Sequence, residues 1–188
     1  MRRVLTVLAA TAALLPLAAP AGAATDYTPG QYTAGPKGGD ASTYTEADPA
    51  SGKVVIFQRN TRQAAAVHCI GDGPRATLVA AHPVTGPASS VVVNYADAFM
   101  TAHPVIDVLV TGSKSDWLGH GNAFGPKTNE SGAVTIPLSK TPEVGETLTI
   151  QFGLQLHAGC LGHPTLLGLQ GSRPVEGAQV MFTSVSVG

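Results

Sequence analysis

Charged and aromatic side chains are both scarce in this sequence. Of its 188 residues, 12% are charged and 5% are aromatic. The charged share is about half of that in an ordinary soluble domain. The 11 Lys and Arg residues are scattered and balanced by 12 Asp and Glu residues, which argues against a nucleic-acid-binding surface. Because 44% of the residues are hydrophobic, the chain as a whole is not intrinsically disordered.

Sequence signatures of catalysis are largely missing as well. The chain has no Gly-x-Ser-x-Gly elbow, no His-Glu-x-x-His motif and no phosphate-binding loop. Asp97 and Asp107 could form a carboxylate pair for glycoside hydrolysis, but solvated strand positions are the favoured interpretation. We therefore predict that the protein is not an enzyme, with a small secreted hydrolase as a remaining alternative.

The first 23 residues have the pattern of a signal peptide. Arg2 and Arg3 form a short basic start, an apolar stretch follows from 4 to 19, and Ala21-Gly22-Ala23 has the small-x-small pattern read by signal peptidase. This pattern predicts cleavage near Ala23 and secretion to the extracellular space. We expect the mature chain to be a monomer without a membrane span.

Residues 24–51 are rich in Thr, Gly, Pro and Ala and have no apolar period. Such a composition predicts a flexible polar arm. The segment nevertheless contains Tyr27, Tyr32 and Tyr44, each followed by Thr. An alternative is that the arm lays these rings on a partner or adds a strand to the edge of the domain.

From residue 52 onward the hydrophobic period is two, which is typical of strands. The clearest run is 146–157, where Leu148, Ile150, Phe152 and Leu154 alternate with polar residues or glycine. Other predicted strands are 54–58, 65–70, 76–81, 90–95, 106–110, 134–138 and 178–187.

Gly- and Pro-rich turns separate these runs, and no segment has a sustained helical period. The fold class is therefore all-β: residues 52–188 are predicted to form an antiparallel two-sheet β-sandwich. Immunoglobulin-like and jelly-roll topologies both remain open. A change of face in the last run predicts a bulge near Ser184, and Pro137 predicts an edge position or a strand end.

The chain has only two cysteines, Cys69 and Cys160. In a secreted protein these two are expected to form one disulfide. His68 precedes the first cysteine, while His157 and His163 flank the second. A disulfide would bring the three imidazoles together, and imidazoles are good ligands for zinc and copper. A histidine-based Cu or Zn site is therefore one hypothesis, with ordinary loop histidines as the favoured interpretation and no cofactor as the default expectation.

The segment 112–130 is the candidate ligand-binding loop. Its site residues are Asp116, Trp117, His120, Asn122 and Phe124. A flat aromatic side chain beside amide, imidazole and carboxylate groups is suited to binding a sugar. The alternative, favoured because a single tryptophan is usually buried, is that Trp117 points inward and covers the core.

These observations predict a secreted, non-catalytic β-sandwich that binds a protein, a glycan or envelope material outside the cell. Inhibition of an extracellular enzyme through the loop around Cys160 is one version of this hypothesis. The alternative from another class is an extracellular metal-binding protein that uses His68, His157 and His163.

Overall fold

The computed structural model describes residues 26–39, 43–58, 68–69, 75–100, 104–124, 130–156, 160–161 and 176–188. These residues form twelve strands and contain no helix. The strands are β1 (Thr33–Gly38), β2 (Thr43–Asp48), β3 (Lys53–Gln58), β4 (His68–Cys69), β5 (Arg75–Pro83), β6 (Ser90–Met100), β7 (Pro104–Gly112), β8 (Asp116–Phe124), β9 (Glu130–Pro137), β10 (Thr147–Leu156), β11 (Cys160–Leu161) and β12 (Glu176–Val187). The predicted signal peptide, residues 1–23, lies outside the described residues. Within the described ranges, no helix is long and apolar enough to cross a membrane.

Ten of the strands form two antiparallel sheets of five strands each. The first sheet has the order β1-β5-β10-β7-β8, and the second has the order β2-β3-β12-β6-β9. This architecture confirms the predicted all-β fold with two antiparallel sheets. If β1, β2 and the short pair β4–β11 are set aside, the other eight strands can be lettered B to I in chain order. Their orders are then C-H-E-F and B-I-D-G, which is the jelly-roll arrangement and not the immunoglobulin one.

The core lies between the inner faces of the two sheets, where the alternating apolar residues meet. Phe152 of the first sheet and Phe182 of the second pack edge-to-face, with ring centroids 5.0 Å apart. Tyr32 packs against Phe152 in the same way, also at 5.0 Å. All three side chains are buried. Edge-to-face pairs at this distance stabilise the core beyond the area that they bury.

The segment predicted to be a flexible arm belongs to the sandwich over its described residues. β1 pairs with β5 and β2 pairs with β3, so each adds an edge strand to a sheet. Tyr27 bridges to Val185 through two backbone hydrogen bonds. The structure therefore differs from the flexible-arm prediction and supports the alternative in which this segment adds strands to the edge of the domain. The composition gave the opposite expectation because backbone pairing to an existing sheet needs no apolar period.

Two bulges change which residues of a strand face outward. In β12 the register with β6 shifts between Phe182 and Ser184, which confirms the bulge predicted near Ser184. In β6 one extra residue lies between Tyr95 and Ala98 relative to β9, and between Ala96 and Phe99 relative to β12. Asp97 lies in this bulge with a φ of 51°, a left-handed conformation that Asp adopts more readily than most residues.

The short strands β4 and β11 form a separate antiparallel pair. Their register places Cys69 opposite Cys160 and His68 opposite Leu161. The backbone thus brings the two cysteine positions together, as a disulfide requires. The bond itself stays a prediction.

In both sheets there are edge strands to which a further strand is difficult to add. β9 is an edge strand and ends at Pro137, which confirms the prediction from that proline. β1, the edge of the first sheet, contains Pro36 and Lys37 and has an irregular register at this point. At the opposite edge, the backbone N–H of Ser139 donates a 2.8 Å hydrogen bond to the carbonyl of Leu118 in β8.

Candidate ligand-binding surface

The predicted ligand-binding loop forms, for much of its length, a strand at the edge of the first sheet. Residues 113–115 make a turn, and Asp116–Phe124 form β8, which pairs with β7 along its whole length. The loop prediction was wrong here because the several glycines of this segment resemble a loop in composition. In the structure, Gly119 and Gly121 face Ile136 of the second sheet, and a Cβ at either position would come within 3.1 Å of that side chain.

A bulge in β8 decides the direction of Trp117. Val110 of β7 pairs with Gly119, but Thr111 pairs with Trp117, so β8 has one extra residue, Leu118, at this point. Leu118 is fully buried, whereas Trp117 is 55% exposed. If residues 117–121 alternated regularly, without a bulge, Trp117 would share the inward face of Gly119 and Gly121. The favoured expectation of an inward tryptophan was therefore wrong.

The outer face of the β7–β8 hairpin carries three polar side chains near the indole. His120 Nε2 lies 2.7 Å from Asp107 Oδ1, within hydrogen-bonding and ion-pair distance. Asn122 lies directly opposite Asp107 in the register. We refer to Asp107, Trp117, His120 and Asn122 as the Trp117 surface.

The same outer face continues across β10 with uncharged polar side chains. Thr149 and Gln151 lie opposite Thr111 and Leu109, and Gln155 lies farther along the strand. Thr149 is exposed, and the two glutamines are partly exposed. Hydroxyl and amide groups on a flat sheet, with one aromatic ring at its edge, can hydrogen-bond and stack on a flat polar ligand.

The turn before Trp117 is fixed by the buried carboxylate of Glu146. Its Oε1 accepts a 2.9 Å hydrogen bond from the Lys114 N–H, and its Oε2 accepts hydrogen bonds from the Ser115 hydroxyl and the Glu143 N–H. Burial raises the pKa of the Glu146 carboxyl, but these hydrogen bonds outweigh that effect and the net pKa is lowered. A Cβ at Gly112 would collide with Glu146 Oε1, so the glycine leaves the space that the carboxylate occupies.

The remaining predicted ligand-binding residues are placed as follows. Asp116 is exposed and has a φ of 49° at the start of β8. Phe124 pairs through its backbone with Val105, and its side chain lies outside the described residues. Asp97 and Asp107 lie in different sheets, so they do not lie side by side on one strand pair.

The predicted metal site falls mainly outside the described residues. His157 and His163 lie there, and His68 is described only by its backbone in β4. The rest of the described chain has no group of three or more His, Cys, Asp or Glu residues that could hold a metal ion. The Cu or Zn site therefore stays a prediction.

Sequence reasoning missed two residues of this site. The pairing of Asp107 with His120 was not predicted, although the two-residue period of β7 had already placed Asp107 on the polar side of its strand. Glu146 was predicted only as the start of a strand. Its role depends on a hydrogen-bonding partner more than 30 residues away in sequence, so no local pattern could have indicated it.

Comparison with known proteins identifies distant structural similarities only. No protein-family model matches the sequence, and no curated protein matches it. The enzymatically active domain of a tailspike protein from bacteriophage CBA120 is similar in structure, with a TM-score of 0.40 and 11% identity over 82% of this chain. The match spans 19% of that phage chain.

Two carbohydrate-binding modules are also similar in structure. The module CBM36, in complex with calcium and xylotriose, has a TM-score of 0.39 and 9% identity over 87% of this chain and 99% of its own. A module from Clostridium stercorarium, in complex with cellobiose, has a TM-score of 0.36 and 12% identity over 85% of this chain and 92% of its own. None of these similarities identifies a family for the chain.

Proposed function

We propose that this chain is a secreted, non-catalytic protein that binds uncharged glycans through the Trp117 surface. The observation that carries the proposal is the outward position of Trp117 at a bulge. Burying a large apolar side chain stabilises the folded state by about 1.5–3 kcal/mol. Because the bulge directs Trp117 outward and Leu118 into the core, part of this stabilisation is lost for the indole. An exposed indole at such a position is suited to a role outside the core.

The polar groups beside the indole are held in place before any ligand arrives. Asp107 fixes the imidazole of His120 through its Nε2 atom, which leaves Nδ1 available to a sugar hydroxyl. Asn122 adds an amide with both donor and acceptor atoms. Such preorganisation lowers the entropic cost of binding.

The charges at this surface favour a neutral ligand. The Asp107 carboxylate faces His120, and the Lys114 ammonium lies 3.1 Å from the Glu143 carboxylate on the neighbouring turn. The carboxylates of Asp107 and of Asp116, which is exposed beside Trp117, disfavour an acidic polymer.

Leu109 lies between Gln151 and His120 on this face and is partly exposed. The side chains around it are Thr, Gln and Asn, which are more polar than the centre of a typical protein–protein interface.

A binding assay on the secreted protein tests this proposal. The protein is screened against a panel of neutral oligosaccharides, and the best ligand is then titrated by calorimetry. We expect Trp117→Ala to weaken binding about tenfold or more, since loss of one stacking contact of ~1.4 kcal/mol has this effect. Val144→Ala, which removes another exposed apolar side chain, is the matched control. Equal affinity of Trp117→Ala and the wild type would refute the Trp117 surface as the binding site.

Secretion is tested separately by the mass of the protein purified from the medium. Cleavage near Ala23 predicts a mature chain that begins at Ala24. Protein that retains residues 1–23 in the cell fraction would contradict the extracellular part of the proposal.

A further inference from the structure

The outer face of the second sheet carries three exposed aromatic side chains. Tyr44, Phe57 and Phe99 are 53%, 41% and 46% exposed. The register shows that they share one face. Tyr44 lies opposite Phe57, and Phe57 lies opposite Gly177 of β12. Two residues after Gly177, Gln179 faces the same side and lies opposite Phe99. We refer to Tyr44, Phe57 and Phe99 as the aromatic surface. Exposed aromatic rings on one flat sheet face offer stacking surfaces to a ligand.

The ring of Phe57 lies against the sheet instead of standing away from it. A Cβ built on Gly177 would be 2.9 Å from Phe57 Cδ2 and 3.6 Å from Cε2. The ring therefore occupies the space above the glycine on the neighbouring strand. This position leaves one face of the ring to solvent, as a stacking platform requires.

Tyr44 is held beside this ring by a hydrogen bond. Its hydroxyl donates to Glu46 Oε2 at 2.7 Å. This hydrogen bond, together with the negative charge of Glu46, raises the pKa of Tyr44. The ring of Tyr44 is thus fixed on the same face as Phe57.

Phe99 reaches this face because of the bulge in β6. Tyr95 and Ala98 are both buried although they are three residues apart, since Asp97 is the extra residue between them. Without the bulge, alternation from Tyr95 would direct Phe99 toward the core. Phe99 lies two strands away from Phe57 and two residues farther along the strand direction. With the usual strand spacing and rise per residue, the two positions are about 12 Å apart. An oligosaccharide can span this distance, whereas a single sugar ring cannot.

Carboxylates outnumber cations among the charged groups that the structure describes on and beside this face. Asp48 accepts hydrogen bonds from the Ser51 hydroxyl and the Ala50 N–H, and Lys53 lies opposite it in the register. Glu46 accepts the Tyr44 hydroxyl. The negative charge of Glu46, and of Asp97, which is exposed in the bulge near Phe99, disfavours an acidic polymer. The exposed rings can stack on an uncharged one without any charged partner.

We propose that the aromatic surface is a second binding surface, and that it takes an uncharged polysaccharide. The proposal extends the glycan-binding function proposed above. The part in which one molecule binds two polysaccharide chains rests on that function. Because the aromatic surface and the Trp117 surface lie on the outer faces of opposite sheets, they point away from each other. A single molecule can therefore hold two polysaccharide chains, one on each side.

Two measurements on the secreted protein test this second surface. The first is depletion of the protein from solution by microcrystalline cellulose, chitin and insoluble xylan. The second is aggregation of beads coated with the bound polysaccharide, with gel filtration to establish that the added protein is monomeric. The variants are Phe57→Ala with Phe99→Ala, Trp117→Ala, and all three changes together, with Val144→Ala as the matched control. Thermal unfolding checks that each variant is folded.

The expected result is that wild type and Val144→Ala bind and aggregate the beads. The Phe57/Phe99 variant and Trp117→Ala each still bind through the remaining surface, with a lower binding capacity, but no longer aggregate the beads. The triple variant does not bind.

The possible failures are distinguishable. Unchanged bead aggregation by the Phe57/Phe99 variant overturns the second surface and leaves the Trp117 surface intact. Unchanged binding and aggregation by Trp117→Ala, together with loss of all binding in the Phe57/Phe99 variant, overturns the proposed function at the Trp117 surface and the two-sided arrangement. A wild-type dimer that the Phe57/Phe99 changes dissociate assigns the aromatic surface to self-association and overturns the proposal. No binding to any of the three polysaccharides overturns both surfaces.

Discussion

Glu146 and Lys114, 32 residues apart, are joined by a 2.9 Å hydrogen bond from the Lys114 N–H to the buried Glu146 Oε1. This contact links the residue before β10 to the turn that leads into Trp117. The carboxylate is therefore a positioning group for the Trp117 surface, although it does not lie on that surface. Its hydrogen bonds also make the stability of the turn dependent on pH.

Glu146→Gln is expected to lower the melting temperature at neutral pH and to reduce the loss of stability in acid. The folded-state pKa of Glu146 is below its ordinary value of 4.5, so its stabilising contribution is present above that pH and is lost as the pH falls through the folded-state value. The melting temperatures of the two proteins should therefore converge below pH 4.5. Glu143→Gln, at an exposed carboxylate, is the matched control. A difference in melting temperature between the wild type and Glu146→Gln that is the same at pH 7 and in acid would contradict this account.

Asp107 and His120 are expected to act as a unit in glycan binding. Asp107→Ala and His120→Ala should each weaken binding, and the double variant should be little worse than either, because both changes release the same imidazole from its fixed position. The free energy of unfolding should change by only about 0.2–1 kcal/mol, as is usual for exposed ion pairs. Calorimetric titration of the wild type, the two single variants and the double variant gives the coupling free energy between Asp107 and His120 in binding. Strict additivity would indicate that the pair does not orient the ligand-binding group.

His82→Leu is expected to stabilise the protein. His82 is 6% exposed, it packs against the ring of Tyr27 at 5.4 Å, and neither of its ring nitrogens has a hydrogen-bonding partner. Removing buried unsatisfied polar atoms relieves a cost of about 1–3 kcal/mol. Denaturant unfolding measures the gain, and His82→Gln, which keeps polar atoms at the site, is the control. A less stable His82→Leu protein would mean that the imidazole is satisfied by water in the small cleft that it lines together with Thr85 and Val187.

Cys69 and Cys160 are expected to be joined by a disulfide in the secreted protein. The register of β4 and β11 already places the two positions opposite each other. The intact mass before and after reduction should differ by about two hydrogens. Replacing both cysteines by serine should lower the free energy of unfolding by at most about 4–5 kcal/mol, since the bond would close a long loop. Two free thiols in the protein from the medium would refute the pairing.

The three histidines near the cysteines give a separate prediction. If His68, His157 and His163 bind a metal, native mass spectrometry of the protein exposed to Zn²⁺ or Cu²⁺ will detect one bound ion. The ion should be absent from the triple alanine variant while folding is retained. A wild-type protein that stays free of metal under these conditions would exclude this site.

Hydrophobic alternation predicted those parts of the fold where side chains determine the structure. β10 is the clearest case, because Leu148, Ile150, Phe152 and Leu154 all face the core as their period indicates. The change of face at the end of the chain likewise predicted the bulge in β12. Prolines gave positional information too, since Pro137 lies at the end of an edge strand.

Hydrophobic alternation did not predict the elements whose position is set by backbone pairing with a neighbouring strand. β1 and β2 have no apolar period, yet they are held by pairing with β5 and β3. At β8 one extra residue exchanges Trp117 and Leu118 between the two faces, and the same device directs Phe99 outward in β6. In β12 the apolar residues themselves change face and so reveal the bulge. In β8 and β6 the outward residues Trp117 and Phe99 are apolar and occupy positions that alternation assigns to the core, so these bulges are defined only by the neighbouring strands. Both candidate binding surfaces depend on such a bulge.

The edges of the two sheets have a consequence for the behaviour of the protein at high concentration. Unpaired edge strands are the places where β-proteins join into fibrils. Here Pro36 and Lys37 interrupt the edge at β1, and Pro137 ends the edge at β9. The backbone of β8 is partly covered by the hydrogen bond from Ser139 to Leu118. These features hinder strand addition at three of the four edges, β1, β8 and β9, and so oppose amyloid-like growth of a chain that has little charge and keeps exposed aromatic rings on its flat faces.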